Sequence, residues 1–107
     1  MNDDSTLGGY FRVHERAPAF EGTDGQPYSV ALYVDEAPDE QGRFGGALLF
    51  IRWSPSGDQP VGHLETDYLA FGLTPTEVDQ SLRALTLYQV KEHLDAMIKR
   101  AAELPAW

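Results

Sequence analysis

The sequence predicts a two-layer α+β domain, in which a four-stranded antiparallel meander is followed by two C-terminal helices packed on one sheet face. Three observations carry this reading. Several segments before residue 68 alternate apolar and polar side chains with the period of two of a half-buried strand. One segment, Phe44–Trp53, is instead apolar at both alternating sets of positions, as expected of a strand covered on both sides. Beyond Gly72 the pattern changes to two helix starts with the same capping signature, at Thr74 and Thr86.

Residues 1–9 are polar or small without periodicity and are expected to form a flexible N-terminus. The single α+β domain then spans 10–104, with 105–107 as a tail. Tyr10–Arg16 alternates, with Phe11 and Val13 on one side and Arg12, His14 and Arg16 on the other, which predicts a first, edge strand. Ala17–Pro27 contains Pro18, Gly22, Gly25 and Pro27 and reads as a loop, with Phe20 as a candidate anchor into the core. Tyr28–Asp35 is the second strand, setting Tyr28, Val30, Leu32 and Val34 against Ser29, Ala31, Tyr33 and Asp35. The acidic connection Glu36–Arg43 leads to the third strand, Phe44–Trp53. The turn Ser54–Pro60 leads to the fourth, Val61–Tyr68, with Val61, His63, Glu65 and Asp67 on one side.

The helices announce themselves by their starts. Thr74 is the N-cap, Pro75 takes the first helical position, Glu77 closes a capping box, and Leu73 with Val78 forms a hydrophobic staple. Leu85–Val90 repeats the arrangement with Gln89 in place of Glu. One continuous helix is excluded by phase: the stripe Val78, Leu82, Leu85 would continue onto Gln89 and Glu92. It restarts instead as Leu87, Val90, Leu94, Met97, Ile98 and Ala101, so a bend is expected near Thr86. The second helix should run to about Leu104, where Pro105 stops it.

Composition narrows the function classes. With 17 acidic and 8 basic residues among 107, the net charge of −9 opposes phosphate backbones and anionic lipid. No nucleic-acid or membrane partner is expected, a local patch of Arg12, Arg16, Arg43 and Arg52 being the one arrangement that would change this. The absence of cysteine removes disulfides, thiolate nucleophiles and sulfur-based zinc sites. No basic stretch leads into an apolar N-terminal run and no window approaches 18 apolar residues, so a cytoplasmic location is the expectation.

A meander with helices on one side leaves one apolar set of the third strand uncovered. That set is either Phe44, Leu48 and Phe50 or Ala47, Leu49, Ile51 and Trp53, because the hairpin register is not fixed by the sequence. Tyr33, Leu49, Ile51, Trp53 and Phe50 are therefore the candidate interface or ligand-face residues, and a homodimer or another protein partner the expected occupant. Helix one, the Phe20 loop, the Trp107 tail or a ligand could cover the face instead.

Among polar groups, His63, Glu65 and Asp67 alternate on one side of one strand, and His63 with Glu65 is the candidate acid/base pair. As metal ligands they need a contribution from another element, with His14 or Glu15 the nearest in sequence, yet a plain meander puts those strands at opposite edges. The competing reading is an edge strand made polar against aggregation. His93 lies off the helical stripe, and the acidic run Asp35–Glu40 lacks the ligand order of a calcium loop. No serine has a Gly-x-Ser-x-Gly context, and neither Gly8-Gly9 nor Gly45-Gly46 opens a phosphate loop. Gly45-Gly46 points rather to a bulge or to close approach of an aromatic such as Tyr33. No cofactor is implied. The leading expectation is a non-enzymatic binding or assembly module that self-associates through the helix-free sheet face. The alternative is a small metal-dependent or acid/base enzyme, or a ligand-binding protein, using His63 and Glu65 beside an apolar cleft lined by Tyr33, Trp53 and Arg52.

Overall fold

The computed structural model describes residues 4–103. In chain order the elements are α1 (Leu7–His14), β1 (Ala19–Glu21), β2 (Pro27–Val34), β3 (Phe44–Trp53), β4 (Pro60–Glu65), β5 (Ala70–Gly72), α2 (Pro75–Arg83) and α3 (Leu87–Glu103). The sheet is antiparallel in the order β1-β2-β3-β4, and β5 pairs with the start of β3, beyond the end of β4. The α+β meander is thus present, with a fifth short strand and a third helix added. The expected tail at 105–107, including Trp107 and the Pro105 stop, lies outside the described residues.

The first expected strand is a helix. Thr6 caps it, its hydroxyl accepting from the Gly9 amide at 3.1 Å, and Leu7 and Phe11 share the inward face at the i,i+4 spacing. Gly8 allows α1 to lie close against α2, since a Cβ there would stand 2.8 Å from Cβ of Arg83. Two glycines in eight residues give little intrinsic helicity, so this helix exists by packing and capping. The domain accordingly begins before residue 10, with Leu7 wholly buried. The edge-strand role falls to Ala19–Glu21 in the expected loop, where Phe20 does pack against the core.

The segment before α1 is tied to the turn between the last two helices. Thr6 and Thr86 form an antiparallel bridge: the Leu7 amide donates to the Leu85 carbonyl at 2.8 Å and the Leu87 amide to the Ser5 carbonyl at 2.9 Å. At Thr86 the capping box closes as expected, with its amide on Gln89 Oε1 and its hydroxyl accepting from the Gln89 amide. At Thr74 the cap is present, but Glu77 reaches back to the Leu73 amide instead.

All three helices occupy one side of the sheet. Leu7, Val78, Leu82, Val90 and Leu94 meet Tyr28, Val30, Leu48 and Phe50 in one core cluster. Gly46 makes this possible, because a Cβ at that position would collide with Val78 and Leu82. Phe50, a candidate face residue, is therefore core, and Ala47, Leu49, Ile51 and Trp53 lie on the other side of β3, where Ala47 is itself buried and the other three are half-buried. The body is flat, 43 × 39 × 22 Å, with a radius of gyration of 14.6 Å. A compact chain of this length would have about 13 Å. No helix among the described residues is long and apolar enough to cross a membrane.

Candidate functional site

The uncovered face follows from strand register. Pairing places Ser29, Ile51 and His63 in one row across β2, β3 and β4, and Ala31, Leu49 and Glu65 in the next. Tyr33 and Ala47 make a third row, and Gly45 opposite Phe71 of β5 a fourth. Trp53 stands at one end, its indole N–H donating to Ser29 Oγ at 2.9 Å, so the ring is held rather than free. Leu49, Ile51 and Trp53 are half-buried by one another and their neighbours, with no second layer above them among the described residues.

The other end of the face is aromatic and acidic. The Tyr68 ring lies over Gly45, where a Cβ would stand 2.7 Å from it, so the close aromatic approach expected at this glycine is made by Tyr68 and not Tyr33. Its hydroxyl donates to Asp35 Oδ1 at 2.8 Å, while Asp35 Oδ2 accepts from the Gly45 amide at 3.1 Å. The Tyr68 hydroxyl, helped by that amide, holds the Asp35 carboxyl below its ordinary value. The bond to Asp35 in turn pushes Tyr68 up to about 12 and also raises Tyr33. Phe71 meets Tyr68 edge-on at 5.4 Å, and the Arg43 guanidinium sits 4.7 Å above the Phe71 ring.

Two depressions indent the face. One, of about 350 Å³, is lined by Tyr33, Ala47, Glu65, Thr66, Asp67 and Tyr68. The other is broader, about 470 Å³, and runs over Leu49, Ile51, Pro60, Gly62, His63 and Glu65. The wall between them is the chain leaving β4: Thr66 turns inward, its hydroxyl accepting from the Leu48 amide at 3.0 Å and donating to the Asp67 carbonyl at 2.8 Å. This turn ends the expected fourth strand at Glu65, so Asp67 leaves the His63–Glu65 row and pairs with Arg100 at 3.3 Å.

The candidate site residues separate accordingly. Tyr33, Leu49, Ile51, Trp53, His63 and Glu65 come together on the open face, whereas Phe50 and Arg52 belong to the opposite parity. Arg52 lies beside Tyr28 and Gly62 and does not line a cleft with Trp53. His14 sits on α1 in the helical layer, its Nε2 3.0 Å from Asp4, and does not join His63 and Glu65. Among the described residues no group of three or more His, Cys, Asp or Glu is arranged to hold a metal ion. Sequence reasoning missed Tyr68, Phe71 and Asp35 as members of the face. The signal that could have found Tyr68 is Gly45 itself, an alternate position without a side chain in an otherwise bulky row.

Comparison with protein-family models, with curated proteins and with solved structures found no match.

Proposed function

We propose that this protein is a non-enzymatic assembly module that pairs with a second copy of itself through the helix-free face of the sheet. The observation that carries the reading is the parity of β3: with Leu48 and Phe50 committed to the core, Leu49, Ile51 and Trp53 form an apolar row with no second layer packed above it among the described residues. The four strands hold 3, 8, 10 and 6 residues, and at about 3.3 Å per residue and about 4.8 Å between strands they give a planar face of roughly 430 Å². Side-chain relief adds accessible area to that figure, which fits an interface smaller than the standard of roughly 800 Å² per partner. A two-fold arrangement would set Ile51 and Leu49 against their counterparts, with His63 and Glu65 at the rim.

Charge substitution at the centre of the row tests the reading. Leu49→Asp and Ile51→Asp should each give a folded monomer by analytical ultracentrifugation at concentrations where the parent is dimeric. Far-ultraviolet circular dichroism would confirm that the fold is kept. A monomeric parent at high micromolar concentration, or a dimer that survives both substitutions, would sink the proposal.

A further inference from the structure

We propose that the cleft between Tyr33 and Tyr68 binds an alkylammonium group, a quaternary or methylated amine carried either by a small molecule or by a lysine side chain. It is lined by the two tyrosines, by Ala47 and Thr66, and by the acidic residues Glu65 and Asp67. Asp35 lies just behind, engaged by the Tyr68 hydroxyl at 2.8 Å. Two carboxylates thus line the cleft and a third, Asp35, lies beside it. Two cations stand near: Arg100 meets Asp67 at 3.3 Å in a pair whose side chains are both mostly in solvent, 62% and 85% exposed, and Arg43 faces Phe71 while pairing with Asp39 at 3.2 Å, so most of the negative field at the cleft stays in place.

Ring faces attract cations through their quadrupole, and this end of the sheet already does so, with Arg43 seated over Phe71 next to Tyr68. Because the Tyr68 hydroxyl donates to Asp35, its ring stands beside a fixed negative charge, which favours a cation over the ring. A methylated ammonium suits such walls because it needs no hydrogen-bond acceptor and spreads its charge over methyl groups that pack on aromatic carbon. An anion would be repelled by the same carboxylates. A divalent metal fits less well, since the described carboxylates do not converge into a ligand set. The volume, about 350 Å³, is that of a small-ligand pocket. The inference does not depend on self-association, which is argued from Leu49, Ile51 and Trp53, and Glu65 borders both regions.

The test is a titration of the intact protein, followed through tyrosine ring resonances by NMR, with choline and with its neutral isostere 3,3-dimethyl-1-butanol. Choline should shift the Tyr33 and Tyr68 signals saturably, with weakening at high salt, and the neutral isostere should bind at least about tenfold more weakly. Tyr33→Leu, which keeps an apolar side chain but removes the ring, should weaken choline by about tenfold, Glu65→Gln by less, and Tyr33→Phe should restore it. A trimethyl-lysine peptide that binds more tightly than choline would assign the group to a protein side chain, and the reverse order to a free amine. Equal affinity for choline and the isostere, no saturable shift with choline, or undiminished choline binding by Tyr33→Leu would overturn the proposal.

Discussion

Phe50 and Ile51 are adjacent in one strand, equally apolar, and they belong to two different environments. Phe50 sits with Leu48 among residues of all three helices and is wholly removed from solvent, whereas Ile51 and Leu49 look outward from a face with no second layer among the described residues. The glycine pair upstream repeats the contrast, Gly46 facing Val78 and Leu82 and Gly45 facing the ring of exposed Tyr68. What β3 teaches is that hydrophobicity alone does not assign a side chain to the core. The neighbour above it does, and on the open side no second layer is supplied by the described residues.

The sharpest way to break this contrast is to truncate both sides of it. Phe50→Ala should destabilise the fold by about 3–5 kcal/mol in urea unfolding, a large share of the stability of a domain this size, while Leu49→Ala should cost about 1 kcal/mol of fold stability. Similar losses at the two positions would mean that the open face is covered. Gly46→Ala comes next, at about 1–3 kcal/mol, because the new methyl must displace packed side chains and stands 3.3 Å from the Tyr33 carbonyl. Gly45→Ala should unfold less readily than Gly46→Ala and should instead push the Tyr68 ring outward. Its readout is a rise in the Asp35 pKa as the tyrosine bond is lost.

The two faces also hold tyrosines that titrate near the same high value for different reasons. Burial is the largest cause of Tyr28 rising to about 12, with the Asp24 hydrogen bond second, whereas Tyr68 reaches about 12 chiefly through Asp35. Asp35→Asn should therefore bring Tyr68 and Tyr33 down toward their ordinary value in a spectrophotometric titration and leave Tyr28 in place. For Tyr28 the folded-state value lies above the unfolded value of 10.0, so its neutral form is favoured by folding. The associated stability is fully present below pH 10 and is lost between about pH 10 and pH 12. The smallest expected effect is at Glu15, whose left-handed φ of 53° ends α1: Glu15→Gly should raise stability by about 0.5 kcal/mol in thermal melts.

How far the sequence led depends on which physics decided each element. The last two helices were legible because Thr74 and Thr86 cap them locally and Pro75 fixes the first turn. The central strands were legible because eight to ten residues of apolar pattern exceed any turn signal. Helix α1 was not, because Tyr10, Phe11 and Val13 among charged residues mimic a strand, and its helicity depends on a close contact with Arg83 that lies far off in the chain. β1 was missed because three residues are too few to show a period. The identity of the open set turned on the register across Asp35–Arg43. There Asp39 organises the turn by accepting from the Gln41 and Arg43 amides and Gly42 adopts a φ of 77°, details that a list of turn-forming residues does not rank. Tyr33, Leu49, Ile51 and Trp53 were found once parity was granted. Tyr68 reads as a strand end and Phe71 carries no pattern of its own, because only the inward turn of Thr66 and the return of β5 to β3 bring them to that face.

The bridge between Thr6 and Thr86 carries a further consequence for how the molecule comes into being on the ribosome. Leu7 cannot donate its amide to Leu85, nor Ser5 receive that of Leu87, until residues 85–87 have been translated. At about 5–20 residues per second, roughly 4–16 s separate the synthesis of these partners. Throughout that interval the sheet hairpins can form, but the apolar side of the nascent first helix, with Leu7 and Phe11, has no α2 to meet. The segment around Leu7 is therefore secured late, and until α2 and α3 follow it the core side of the sheet, with Val30, Leu48 and Phe50, is bare as well.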